Sequence, residues 1–207
     1  MSNIDTVSTD VLIIGGGPSG LAAAIHLADT LKQKGHSNRI LLIEKGSAIG
    51  RHILSGAVLK PSVFNELLPE VDISEIPFNA KVIKDSTVLL SENGKTTLPF
   101  HLPYMNNIGN YTASLGQICK YLAVKAEEKG VEIYTGFSVD EILYKDGKVI
   151  GAKIKDTGID HHGKELENFQ AGTRIEARIT IFAEGSRGSL NKMLIKKFNF
   201  NKDRNEQ

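Results

Sequence analysis

The stretch Asp10-Val11-Leu12-Ile13-Ile14-Gly15-Gly16-Gly17-Pro18-Ser19-Gly20-Leu21 decides the fold. Asp10 to Ile14 is an apolar, β-branched run of the kind that forms a buried strand. Ser19 to about Lys34 follows as a helix: Leu21, Ala24, Ile25, Ala28 and Leu31 fall on one stripe. Gly35 stands where a helix-terminating glycine belongs. Between strand and helix lies Gly15-x-Gly17-x-x-Gly20. In this setting the first glycine permits a tight turn, the second lets a pyrophosphate approach the backbone, and the third lets helix and strand pack closely. Pro18 and Ser19 complete the turn, and its free amides at the positive end of the helix suit an anion. A second β-type run, Arg39 to Ile43, ends at Glu44, 24 positions after Gly20. A carboxylate there accepts hydrogen bonds from a ribose diol and repels a 2′-phosphate. The unit is β-α-β with a parallel strand pair, and its ligand is FAD or NAD rather than NADP.

Composition limits the alternatives. The chain has 207 residues, with 25 Lys and Arg against 24 Asp and Glu, a net charge of +1. The signs are interspersed, which argues against a nucleic-acid partner. Glycine is abundant, at 20 residues, and part of the excess sits in the turn just described. A single cysteine, Cys119, excludes an internal disulfide and any cluster held by several thiolates of this chain. It lies on the apolar stripe of its own helix and reads as a core residue. Val11 to Ala28 holds no Lys, Arg, Asp or Glu, but the Gly-Pro turn interrupts it and no basic segment precedes it. The sequence therefore reads as intracellular, without signal or transit peptide.

Further along, regular periodicity lapses. Residues 10–50 form the βαβ core, and 51–112 read as an inserted loop-and-strand excursion rich in proline. Residues 113–198 return to the first domain, and 199–207 are a polar tail. The returning part has a helix from about Ser114 to Lys129, a strand Val131 to Tyr134, and a hairpin (Val139–Tyr144, Val149–Ile154) turning at Asp146-Gly147. Thr157 to Ala171 reads as a polar loop. Ile175, Ala177, Ile179, Ile181 and Ala183 alternate as a strand ending at Glu184-Gly185, and a helix spans Ser189 to Phe198. His161-His162 reads as a solvated loop rather than a metal site, and Pro99 to Met105 as an apolar patch, either core or surface.

An NAD domain would continue with regular β-α units. Here the sheet is left after Glu44-Lys45-Gly46 and rejoined only by the strand ending Phe182-Ala183-Glu184-Gly185. That discontinuity resembles glutathione reductase-like and hydroxylase-like flavoproteins and favours FAD. The fold expected is α/β: a Rossmann-like FAD/NAD(P)-binding domain with an inserted, incomplete second lobe.

Four segments sharpen the likeness: Gly50-Arg51-His52-Ile53-Leu54-Ser55-Gly56-Ala57, Asn107-Ile108-Gly109-Asn110-Tyr111, Gly130-Val131-Glu132-Ile133-Tyr134-x-Gly136-Phe137, and Phe182-Ala183-Glu184-Gly185-Ser186-Arg187-Gly188. Collinear from about Asp10 to Phe198, they resemble the N-terminal part of the electron-transfer flavoprotein–ubiquinone oxidoreductase family. The resemblance implies an enzyme with FAD, an iron–sulfur cluster and a quinone site. It takes electrons from reduced electron-transfer flavoprotein and passes them to ubiquinone, with peripheral membrane contact in the intact enzyme. A bacterial cytoplasm or the cytoplasmic face of the inner membrane is the location it implies. Carried over, Gly15, Gly17, Pro18, Ser19, Gly20, Glu44 and Lys45 hold the AMP-pyrophosphate half of FAD. Arg51, Ser55 and Gly56 run along the flavin, Val139 offers backbone to the adenine, and Gly185 lies near the pyrophosphate. No catalytic residue is assigned, since the cofactor carries the redox chemistry.

The departures are equally informative. The family's four cluster cysteines, its late Gly-Asp segment and most of its quinone domain have no counterpart here, so the chain reads as an incomplete piece of that enzyme. Two alternatives stay open: an FAD-dependent reductase of the geranylgeranyl reductase-like or Fix-type class, and a non-catalytic remnant.

Overall fold

The computed structural model describes residues 5–54, 56–100, 103–160 and 164–202. In chain order the elements are β1 (Thr6–Ile14), α1 (Pro18–Gln33), β2 (Ile40–Glu44), β3 (Ala57–Leu59), α2 (Ser62–Leu67), β4 (Phe78–Lys81), β5 (Val88–Ser91), β6 (Gly94–Thr97) and β7 (Tyr111–Ala113). There follow α3 (Leu115–Glu128), β8 (Glu132–Thr135), β9 (Val139–Lys145), β10 (Lys148–Ile154), β11 (Thr157–Ile159), β12 (Glu165–Gln170), β13 (Arg174–Phe182) and α4 (Ser189–Phe198). The chain divides into two compact units, one of residues 1–53 and 119–207, the other of 54–118.

In the first unit six strands form one sheet in the order β8-β2-β1-β13-β10-β9. The four strands β8, β2, β1 and β13 are mutually parallel; at one side β10 pairs antiparallel with β13, and β9 antiparallel with β10. Register aligns the carboxyl ends: Ile14 pairs with both Ile43 and Phe182, and Glu44 pairs with Thr135. Since β2 and β13 flank β1 on opposite sides, the sheet reverses its winding at β1. The crevice above such a reversal is where open parallel sheets bind ligands.

Both faces of this sheet are covered. On α1 the buried residues are Gly20 and Leu21, Ala24, Ile25 and Ala28, the last four being four of the five stripe positions. Leu21 and Ile25 are completely buried, each contributing about 1.5–3 kcal/mol. On the other face Leu12, Ile14, Leu41, Ile43 and Ile175 join Ile142 and Ala152 of the β9–β10 hairpin and Leu190 and Leu194 of α4 in one cluster. The hairpin turns through Asp146 and Gly147, both at positive φ (49° and 74°), as an Asp-Gly turn demands. Lys129, just past α3, pairs with Asp29 of α1 at 2.9 Å.

Two local readings change. β1 starts at Thr6, not Asp10, because polar Thr6 to Thr9 find partners in Arg174 to Ala177 of β13. The stretch read as a polar loop carries a two-stranded sheet, β11 with β12. Its residues are mostly exposed, so no apolar alternation marks it. His161 and His162 lie outside the described residues.

The second unit holds a three-stranded antiparallel sheet, β3-β7-β4, and the hairpin β5-β6. Its buried apolar residues are Phe64, Leu68, Ile76, Ala113 and Ile118. Phe64 meets Phe78 edge-on at 5.3 Å, and Phe78 stacks on Tyr111 at 4.6 Å. The Asp85 carboxylate accepts from the backbone and side chain of Asn107 at 3.0 and 3.2 Å, pinning the chain beyond the hairpin. Ile83, Leu89, Leu90 and Tyr104 are exposed, Leu90 at 82 %. Of the apolar patch, Phe100 and Tyr104 are on the surface, and His101 and Leu102 lie outside the described residues. Among the described residues no helix is long and apolar enough to cross a membrane.

Candidate functional site

Above the carboxyl ends of β1, β2 and β13 opens a cavity of about 450 Å³. Its walls include the turn Gly15 to Ser19, the end of β2 with Glu44 and Lys45, the loop Phe137 to Val139, and the β13–α4 turn from Ala183 to Ser189.

The glycine turn divides its labour. A Cβ on Gly15 would overlap the carbonyl oxygen of Ala183, and one on Gly20 would overlap the carbonyl oxygen of Gly15. Gly20 also has the Ala183 methyl beside it, 3.3 Å from where a Cβ would stand. Ala183 is itself tied to β1, its N–H donating to the Ile14 carbonyl at 2.8 Å. Gly15 is thus required by close packing against the end of β13, and Gly20 chiefly by the turn itself. A Cβ on Gly17, in contrast, would meet no atom within 4 Å. Its freedom faces the cavity, where a ligand would come close to the backbone. Gly17 is the N-cap of α1 with Pro18 in the first turn; no side chain caps this end, and its first turn holds no acidic residue. The opening amides of α1 have no acceptor within the helix and lie at its positive pole.

Glu44 is held by backbone donors. One carboxylate oxygen accepts from Gly16 N–H at 2.8 Å, the other from Gly46 N–H at 2.6 Å. Each oxygen keeps a second lone pair for a hydroxyl of a bound molecule. Gly46 in turn accepts from Gly136 N–H at 2.7 Å, and the Glu44 carbonyl accepts from Phe137 N–H at 3.1 Å. These bonds bring the loop after β8, and with it Val139, to the cavity wall.

Across the cavity, Glu184 accepts from the amides of Leu190 and Asn191 at 3.3 and 2.9 Å. This caps α4 from outside the helix. Gly188 makes the approach feasible, since a Cβ there would stand 2.7 Å from the Glu184 Cβ. Gly185 has φ +81° and nothing within 4 Å of a Cβ position.

Gly15, Gly17, Pro18, Ser19, Glu44, Lys45, Val139 and Gly185 therefore line one cavity, with Gly20 packed beneath its turn. At the next segment Gly50, His52 and Ile53 line it, while the Arg51 side chain is exposed. Gly56 belongs to the second unit, at φ +93°, and Ser55 lies outside the described residues. Sequence reasoning assigned no part to Gly16, Gly46, Glu184 or Arg187, although the Glu184 to Gly188 segment carried the resemblance. Cys119 is completely buried; burial, aided by the negative charge of Glu44, pushes its thiol up to about 11. It stays protonated at neutral pH and is chemically quiet.

This architecture agrees with the comparisons to known proteins. The model of the pyridine nucleotide-disulphide oxidoreductase family matches residues 9–198. The chain belongs to that family. An electron transfer flavoprotein-ubiquinone oxidoreductase from Dictyostelium discoideum is 44 % identical over 196 residues, covering 94 % of this chain and 32 % of that protein. A Pseudomonas aeruginosa protein of the same name is 42 % identical over 203 residues, covering 96 % and 37 %. The chain thus spans about a third of the length of these relatives. Among solved structures, a geranylgeranyl bacteriochlorophyll reductase-like protein from Thermoplasma acidophilum superposes with a TM-score of 0.60 at 25 % identity, covering 87 % of this chain and 40 % of that one. A flavin-dependent monooxygenase, PieE, solved with FAD and substrate, superposes at 0.62 with 18 % identity, over 91 % and 32 %. This last likeness speaks for the fold alone.

Proposed function

We propose that this chain is the FAD-binding part of an oxidoreductase that accepts electrons from reduced electron-transfer flavoprotein and delivers them to ubiquinone. The observation that carries the reading is the 44 % identity to a protein of that name, running through nearly the whole chain. The cavity fits the cofactor: an uncapped helix start, an open Cβ position at Gly17 and a preset carboxylate at Glu44 suit a pyrophosphate flanked by a ribose.

In this reading Gly15, Gly17, Pro18, Ser19 and Gly20 form the pyrophosphate turn, and Glu44 takes the ribose hydroxyls beside Lys45. Val139 and Gly185 border the adenine and the pyrophosphate, and Arg51, Ser55 and Gly56 follow the flavin. Bound FAD supplies the electron transfer; the chain's own residues bind and orient it. One cysteine cannot furnish four thiolates, so an iron–sulfur cluster would be held by other parts of an intact enzyme. The exposed Ile83, Leu89, Leu90 and Tyr104 of the second unit suit the quinone or membrane side. The geranylgeranyl reductase-like alternative shares the layout, but at 25 % identity against 44 % it is the weaker reading.

The test is direct. The purified chain, mixed with FAD and desalted, should retain a bound-flavin visible spectrum. A cooperatively folded chain that emerges colourless would refute the proposal. An encoding locus that continues in frame with four cysteines supports the quinone-reducing class, and a continuation lacking them favours the reductase class.

A further inference from the structure

The β13–α4 turn carries a cation, Arg187, on the cavity wall. Glu184 spends its carboxylate on the amides of Leu190 and Asn191, and Gly188 closes against it. The turn is thereby fixed and its carboxylate is occupied by backbone donors. Arg187 lines the cavity and makes no ion pair or side-chain hydrogen bond among the described residues. Two arginines of the sheet region are engaged elsewhere: Arg39 with Glu132 at 2.7 Å, Arg178 with Asp10 at 3.4 Å.

Topology gives Arg187 a direction. β1 lies between β2 and β13, so the opening amides of α1 stand between Glu44 on one side and the Gly185 to Arg187 turn on the other. A nucleotide with its ribose on Glu44 and its first phosphate over α1 presents its next phosphate toward β13. We infer that Arg187 binds the second phosphate of the pyrophosphate, the one attached to the flavin half. This rests on the cavity being the FAD site. A guanidinium suits the task because its planar fork donates two hydrogen bonds to phosphate oxygens.

AMP carries only the first phosphate and ADP carries both, so the pair isolates the contact. Calorimetric titrations of each into the full chain should show ADP binding tighter than AMP. In Arg187→Gln the ADP affinity should fall about tenfold while that for AMP stays within about twofold, the loss of one charge-assisted hydrogen-bonding group. Arg187→Lys should recover part of the loss, and the thermal midpoint of both variants should match the parent. An unchanged ADP-to-AMP ratio in Arg187→Gln would overturn the inference, as would parallel loss of both ligands. Should the parent chain bind FAD but show no ADP preference, this inference alone fails. Should it bind neither FAD, ADP nor AMP, the FAD reading falls as well.

Discussion

Two helices begin on the wall of one cavity, and their first turns are built in opposite ways. α1 starts at Gly17-Pro18 with no side-chain cap and no acid in its first turn. α4 starts at Ser189 with Glu184 bonded to its Leu190 and Asn191 amides. Both ends have the same need, since the opening amides of any helix lack partners within it. At α4 the protein meets that need itself. At α1 it leaves the amides facing the cavity, beside the open Cβ position of Gly17. In the proposed FAD reading, the difference separates a structural helix start from one kept for an anion.

The comparison breaks most severely at Gly20. Gly20→Val would drive a side chain into the Gly15 carbonyl and the Ala183 methyl, so it should cost at least about 1–3 kcal/mol in urea unfolding and abolish flavin retention. Gly17→Val separates binding from folding: no protein atom meets its Cβ, so stability should change by no more than about 1 kcal/mol, while flavin is lost from the desalted protein. Equal damage to stability from both variants would erase the distinction drawn between the two glycines. Glu184→Ala removes the cap of α4 and should cost about 0.5–2 kcal/mol, with less helical circular dichroism on partial unfolding. The smallest effect is expected for Glu184→Gln, whose amide oxygen still caps one amide. It should lie between the parent and Glu184→Ala in the same unfolding series.

The start of α1 was legible in the sequence because its signals are local: an apolar run, three glycines at fixed spacing, then a helical stripe. Glu44 was legible for the same reason, sitting at the end of the adjoining run. What escaped was non-local. Nothing in residues 15–20 says that Ala183 will lie against Gly15 and Gly20, since that contact exists only after β13 pairs with β1. Glu184 reaches amides six and seven positions ahead, beyond the reach of an ordinary capping pattern. The early start of β1 was hidden because Thr6 to Thr9 are stabilised by strand pairing rather than by apolar burial.

Ala183 also sets an order of events during synthesis. The glycine turn and its helix leave the ribosome early, yet the residue that packs against them is translated much later. Pairing β1 with β13 closes a loop containing the second unit, α3 and the β9-β10 and β11-β12 hairpins, a separation that slows folding. Until that strand docks, the turn lacks its packing partner and the cavity lacks the wall from Ala183 to Ser189. In the proposed FAD reading cofactor loading is therefore a late step, and a nascent chain halted ahead of Ala183 would not be rescued by excess flavin.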